Sequence, residues 1–337
     1  AMTVGAADDG PGRLLTSAQE VPSGQGEFAV RFDERRGLVH ADLKVGAAVT
    51  SVKPLLANAG LSNRGVIPHG AGFLLTPDEA ARLGLGTVPN LDHHIREYRN
   101  GRDLTERPRG VLVIDLHGLT ADDVRQGFPT VYQHLLERVK PERDLNPRPK
   151  RRDFWWRFAE DQPRLRFSLE GLPRYIATGQ VSKHRVFQWL DGSILPDDKL
   201  IAIASGDALH MGVLTSGVHV VWALASGGTL EDRPVYSKST CFEPFPFPSD
   251  DTGLTPELTT CIRALAEQLD AHRKTQQAAH PDLTLTGIYN VLEKLRHGEP
   301  LTAKDKLIHE LGLVSVLKSL HDELDAAVLA AYGWSDL

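Results

Sequence analysis

Apolar positions change period near Pro248, and that change divides the expected architecture in two. Upstream, from Arg174, the runs are short and rich in β-branched and aromatic residues: Tyr175–Thr178, Arg185–Leu190, Lys199–Ala204 and His210–Leu214. Asp191-Gly192-Ser193, Pro196-Asp197-Asp198 and Ser205-Gly206-Asp207 separate them with turn chemistry, so the stretch predicts a string of short strands. Downstream, apolar residues recur every three or four positions: Leu258, Ile262, Leu265 and Leu269, then Ile288, Leu292 and Leu295, then Leu307 through Val328. Broken by Pro281, Gly298 and Pro300, that pattern predicts three amphipathic helices over 256–280, 285–297 and 303–332, packed as a small bundle. Leu301–Asp305 supplies a cap for the last of them.

The chain before Arg174 is mixed. Residues to about Gly26 are small, polar and rich in Gly and Pro, which predicts a disordered leader or cloning scar, with Ala1-Met2 as a tag remnant. Glu27–Lys44 alternates, with Phe28, Val30 and Phe32 and then Leu38, His40 and Leu43 around Glu34-Arg35-Arg36-Gly37, and reads as a hairpin. Thr76-Pro77-Asp78-Glu79 is a helix start, with a hydroxyl cap, Pro at the first helical position and acids facing the positive end of the helix dipole. Gly110–Leu116 is a buried-strand run, and Thr120 caps a helix carrying Val124, Phe128, Val131, Leu135 and Val139 on one side. The expected fold class is α+β: a mixed α/β part over 27–150, a β-rich core over 151–250 with flanking helices, and a small α-helical bundle over 251–337.

With 41% apolar residues the chain has material for ordinary cores, and no apolar run approaches the length that crosses a bilayer. Cys241 and Cys261 are not in a CxxC pair, which argues against a disulfide framework or thiolate zinc site and fits a cytoplasmic setting. The formal net charge of −6 conceals a segregation: Leu135–Arg185 holds 13 Lys/Arg against 7 Asp/Glu, net +6, while Asp191–Leu337 holds 11 against 21, net −10. A local basic face attracts phosphates even on an acidic protein, and the same cluster also reads as a solvated face.

Several motifs carry candidate chemistry. Asp92-His93-His94, Asp115-Leu116-His117 and His69-Gly70-Ala71-Gly72 tempt a metal or oxyanion reading, but no HExxH, Walker Lys or GxSxG accompanies them, which favours turns and packing. Arg99, Asn100 and Arg102 crowd a Gly turn with donors suited to phosphate, or else form an Arg network that braces the turn through Asp103. Arg148, Lys150, Arg151 and Arg152 precede Trp155-Trp156, so phosphate contact is assigned to the basic residues and packing to the tryptophans. Ser182-Lys183-His184-Arg185 and Ser237-Lys238-Ser239-Thr240 put donors beside a sheet edge.

VSKHRVFQWL, ILPDDKLIAIA, GVLTSGVHVVWAL, CFEPFPFP and HDELDAAVLAAYGWSDL, in that order, resemble the target-recognition region and helical tail of MmeI-like, type II-L adenine-specific DNA methyltransferases of restriction-modification systems. The likeness runs from about Ala41 to Leu337. It implies a module that reads double-stranded DNA for a methyltransferase catalytic domain supplied in cis or in trans, in restriction or another phage defence. Neither an NPP[FY] tetrapeptide nor a Gly-rich first turn for S-adenosylmethionine is found, so the catalytic half is expected outside this chain, which by itself is expected to be no enzyme and to hold no cofactor or metal. A helical tail of this kind is expected to pack behind the recognition domain and touch the DNA backbone, and to continue past Leu337. The resemblance maps base reading onto Gln180–Arg185, Asp198-Lys199 and Arg233–Thr240, with Gln180, Ser182, Lys183, Arg185, Lys199, Arg233, Ser237 and Lys238 as candidates. Lys183 and Arg185, two apart on an expected strand, would share one face, while His184 takes the other as a packed or phosphate-bonded side chain. Two other readings stand beside this one: an interaction subunit docking on a catalytic partner, and an autonomous metal-dependent hydrolase using the His-rich loops, which lacks a recognisable nucleophile, base and orienter.

Overall fold

The computed structural model describes residues 11–24, 27–40, 45, 47–231 and 233–334, in two units that meet in sequence between Lys53 and Pro54. In the first unit, β1 (Gly12–Gly24) and β2 (Glu27–Gly37) pair antiparallel from Gly12↔Gly37 to Gly24↔Glu27. The expected leader is therefore strand from Gly12 onward, and the expected turn at Glu34–Gly37 lies inside β2. Long-range pairing overrides the local composition: Arg35 sits opposite Leu14, and the Arg13 guanidinium grips the Glu34 carboxylate through two hydrogen bonds of 3.0 and 2.8 Å. Leu43 lies outside the described residues.

The second unit carries strands β3 (Ser62–Arg64), β4 (Leu74–Leu75), β5 (Ile95–Arg99), β6 (Leu112–Ile114), β7 (Arg174–Gly179), β8 (Phe187–Asp191), β9 (Leu195–Pro196), β10 (Leu200–Ile203), β11 (Gly228–Leu230) and β12 (Arg233–Val235). One four-stranded sheet has the order β3-β10-β7-β8, all antiparallel, and a second has the order β4-β6-β5-β9; β11 and β12 form a ribbon. The helices before β7 are α1 (Pro77–Arg82), α2 (Gly101–Thr105), α3 (Ala121–Gly127), α4 (Pro129–Arg138), α5 (Lys140–Asp144), α6 (Pro149–Asp153) and α7 (Pro163–Leu169). After β10 come α8 (Ala208–Thr215), α9 (Gly217–Ser226), α10 (Pro256–Ala279), α11 (Leu285–His297), α12 (Ala303–Leu311) and α13 (Val314–Ala331).

The β3-β10-β7-β8 sheet is covered on both faces, so its strands read as continuous apolar runs whose alternation still sorts side chains between two cores. Tyr175, Ala177, Leu190, Leu200 and Ala202 face one core, with Ile95, Val113, Leu135, Trp155 and Trp156. Ile176, Phe187, Trp189, Ile201 and Ile203 face the other, with Met211, Leu214 and Phe242. A third core, built from Ile262, Leu269, Ile288, Leu317 and Leu324, holds the helical tail together.

The tail is fastened to β8, the edge of the central sheet. Arg273 of α10 donates to the Phe187 carbonyl at 2.8 Å and Lys274 to the Trp189 carbonyl at 3.0 Å, which satisfies edge groups that no strand pairs. Arg174 stacks over Trp189 at 3.9 Å while pairing with Glu267 of the same helix.

Three expected elements differ. The single helix expected to carry Val124 through Val139 is two, α3 and α4, separated at Phe128, whose φ of −136° and ψ of 61° leave the helical region just ahead of Pro129. The His210–Leu214 run is helix α8, because the Asp207 side chain accepts from the Leu209 amide and caps it, and burial on all sides leaves no alternation to tell helix from strand. The third tail helix is two, α12 and α13, broken where Leu313 takes a left-handed φ of 44° just after Gly312. The caps at Thr76, Thr120 and Thr302 form as expected, each closed reciprocally by an acid three residues on.

Candidate functional site

Three candidate segments far apart in sequence converge at one end of the central sheet. The Gln180 amide donates to the Lys199 carbonyl and the Tyr236 amide to the Gln180 carbonyl, both at 2.7 Å; Val181 bridges Val235, and the Ser182 amide reaches the Pro234 carbonyl at 3.3 Å. The end of β7, the start of β10 and the β11–β12 ribbon are thus sewn together, with Gln180, Ser182, Lys199 and Arg233 on adjoining turns.

Each turn has its own brace. Between β9 and β10, the Asp197 carboxylate takes hydrogen bonds from the Tyr98 hydroxyl at 2.5 Å and the Lys199 amide at 2.8 Å; burial nonetheless holds its pKa above the ordinary carboxylate value. Asp198 is shared by Arg64 and the exposed Lys199, each at 3.2 Å. At the ribbon tip, Arg233 pairs with Glu231 at 2.7 Å and both stay largely in solvent, so the pair opens at little cost. Ser237 bonds Ser239 at 3.0 Å, and Lys238, four residues past Pro234, gives its ammonium to Glu243 at 3.3 Å.

Residues 182–186 form a turn ahead of β8, so Lys183 and Arg185 do not share a strand face. Lys183 is exposed and donates to Asn290 Oδ1 at 2.6 Å. Arg185 is only 9% exposed: its guanidinium donates to Thr178 Oγ1 at 3.1 Å, to the Gly179 carbonyl and to the Pro234 carbonyl at 3.4 Å, and stacks on Tyr236 at 4.9 Å. Burial pulls its pKa down to about 10, leaving it a cation at neutral pH. The structure gives Arg185 the position of an internal clamp across β7 and β12. His184 is half-buried, bonded through Nε2 to Asn290 Oδ1 at 2.8 Å, and burial lowers its pKa.

The phosphate candidates fall into two groups. Asn100 is a helix cap whose Oδ1 accepts from the Arg102 and Asp103 amides, Arg99 pairs with Glu97 at 2.7 Å and Arg102 with Glu106 at 2.6 Å. Asp103 is gripped by Arg109, a partner the sequence pattern did not single out. On α6 and its N-terminal flank, Arg152 donates to the Asn146 carbonyl at 2.7 Å, whereas Arg148, Lys150 and Arg151 make no ion pair among the described residues. Lys150 and Arg151 line a cleft of about 360 Å³ with half-exposed Phe154, Arg157 and His117. Trp155 and Trp156 are packed in the core, the Trp156 indole donating to the Leu119 carbonyl at 3.0 Å. Among the described residues no group of His, Cys, Asp and Glu could hold a metal ion.

Besides Arg109, two side chains escaped the sequence pattern: Glu231, the ribbon-tip partner of Arg233, and Asn290, which reaches the 182–186 turn from the tail. The Glu231-Asp232-Arg233 charge cluster could have pointed to the first; nothing local to Asn290 points to Lys183, 107 residues away.

The model for the MmeI target recognition domain matches residues 48–249. Among solved structures, the chain is similar to the type IIL restriction-modification enzyme MmeI in complex with DNA, at 18% identity and a TM-score of 0.66, over 92% of this chain and 37% of that one. The chain thus spans little more than a third of that enzyme's length. No curated protein matches it.

Proposed function

The chain belongs to the family of MmeI target recognition domains, and from that premise we propose that it reads the recognition sequence in double-stranded DNA for an adenine-specific, S-adenosylmethionine-dependent methyltransferase of a type II-L restriction-modification system. The observation that carries this reading is the convergence of the Gln180–Ser182, Lys199 and Arg233 turns at one end of a rigid sheet. A methyltransferase that swings one adenine out of the stack needs a second surface to identify the flanking bases, and turns on a fixed scaffold suit groove edges. Lys183, Lys199 and Arg233 can donate to guanine O6 and N7, Gln180 can make paired bonds to adenine, and Glu231 can accept from the cytosine amine opposite a guanine held by Arg233. Arg148, Lys150 and Arg151 supply sequence-independent attraction to phosphate.

Methyl transfer belongs on this reading to a catalytic domain in cis or in trans. S-adenosylmethionine chemistry of this kind is built at the carboxyl ends of parallel strands. Here the described strands pair antiparallel except β5 with β9, which does not fit such a crevice.

Selection of bound duplexes from a randomised library tests the proposal. The chain is expected to enrich a short consensus, and Arg233→Ala to flatten one position of it by roughly 5- to 150-fold, the ratio that about 1–3 kcal/mol of discrimination corresponds to. Enrichment of no consensus at any salt concentration would sink it.

A further inference from the structure

Lys183 and His184 both end on a single atom of the helical tail. Asn290 Oδ1, on α11, accepts from Lys183 Nζ at 2.6 Å and from His184 Nε2 at 2.8 Å, and Glu293, one turn further along, lies 3.8 Å from the same ammonium. The turn between β7 and β8 is therefore held from two sides. Ser182 and Arg185 bond the Pro234 carbonyl, while Lys183 and His184 bond Asn290. Inside the turn, the Ser182 hydroxyl closes onto the His184 carbonyl at 2.7 Å.

Asn290 is itself immobilised. Its neighbour Tyr289 packs its ring against His184 with centroids 5.9 Å apart, takes a hydrogen bond from Arg273 of α10 at 3.1 Å, and shares a second with His321 Nε2 of α13 at 2.9 Å. Arg273, almost wholly buried, also donates to the Phe187 carbonyl at the start of β8. Three tail helices and the first residue of β8 thus share one interior network, and the Asn290 amide projects from it toward the turn.

We infer that Asn290 is a positioning residue for base recognition, setting from the tail the direction in which Lys183 presents its ammonium to the DNA. A lysine ammonium has three N–H groups; Asn290 takes one and leaves two, the number that guanine O6 and N7 accept. Free in solution, the four-carbon side chain would sample many rotamers, and fixing it beforehand removes part of the ordering cost from the binding step. The inference rests on the DNA-reading function proposed above and adds to it that the helical tail takes part in specificity.

The test is the same library selection, run with Lys183→Ala, Asn290→Ala and Asn290→Asp, with circular dichroism and a urea unfolding midpoint on each variant. Asn290→Ala is expected to flatten, by roughly tenfold, the same base position that Lys183→Ala flattens. Asn290→Asp keeps an acceptor for both donors and is expected to retain that preference. Asn290→Ala with an intact consensus, alongside a Lys183→Ala variant that loses one position, overturns the inference. So does a loss common to all sequences in both Asn290 variants, which means a structural role only. If Lys183→Ala changes no position while Arg233→Ala does, the turn does not read bases, and the inference fails while the DNA-reading function stands. A wild-type chain that enriches nothing overturns both.

Discussion

Burial separates Lys183 from Arg185, although the two cations stand two positions apart. The Thr178 hydroxyl, the Gly179 carbonyl and the Pro234 carbonyl form a polar socket that needs a donor, and the fixed fork of an arginine fills it where a single ammonium could not. Removing it strands buried acceptors, so Arg185→Ala is expected to lower stability by about 1–3 kcal/mol in urea unfolding and to weaken binding to every duplex alike. A stable Arg185→Ala variant whose consensus changes at one position would show that this guanidinium reads a base. Nothing local announces the socket: Pro234 is 49 residues downstream, and a basic residue after a turn looks the same whether it points in or out. Local contacts are a different matter. Thr76 with Glu79, Thr120 with Asp123 and Thr302 with Asp305 bond across three residues, so the caps are visible in the sequence.

Among the elements, α8 is instructive because its residues carry a strand-like composition. Val213 and Leu214 suit either state, and only the Asp207 cap and the contact with α10 decide for helix. That contact depends on Gly212: a Cβ there would meet Ile262 Cγ2 at 2.5 Å and the Ile262 carbonyl at 3.1 Å, and Ile262 is fully buried with no room to yield. Gly212→Ala gains about 1 kcal/mol of helix propensity but forces the helices apart, so a net destabilisation of about 1–3 kcal/mol is expected. An unchanged or higher urea midpoint would contradict the close crossing. The α12–α13 break is hidden because Leu307, Leu311, Val314 and Leu317 keep the apolar period across Gly312 and so read as one helix. The β1 strand was hidden for the opposite reason: its residues look unstructured until β2 is laid beside them.

At the scale of the molecule, the basic segment visible in the sequence shrinks once partners are assigned. Of its cations, Lys140, Arg157, Arg166 and Arg174 hold Asp144, Asp161, Asp115 and Glu267, Arg143 and Arg185 are internal, and Arg152 and Lys183 bond Asn146 and Asn290; Arg138 and Arg164 stay unpaired among the described residues, and so do Arg148, Lys150 and Arg151, clustered on and beside α6. If these three meet phosphates, log K should fall against log salt with a slope of about −3 from them alone, and replacing all three by Ala should remove that slope without altering the consensus. Titration at four salt concentrations measures it; an unchanged slope returns the cluster to solvent. The charge counts were legible because they need no geometry, whereas the division between structural and free cations depends on contacts across the fold.

The two-sided burial of the central sheet also bears on how such a module changes over evolutionary time. Apart from strand-end residues such as Arg64 and Asp191, which are exposed, the side chains on the strands of that sheet are buried and most belong to one core or the other, so substitutions there are purged by loss of folding. The turn tips at its end touch neither core and are free to vary. If the tips read bases as proposed, a lineage can explore new target sequences through a handful of residues while the scaffold stays fixed, and a population of such proteins should accumulate differences at Gln180, Lys183, Lys199, Glu231 and Arg233 far faster than at the strands that carry them.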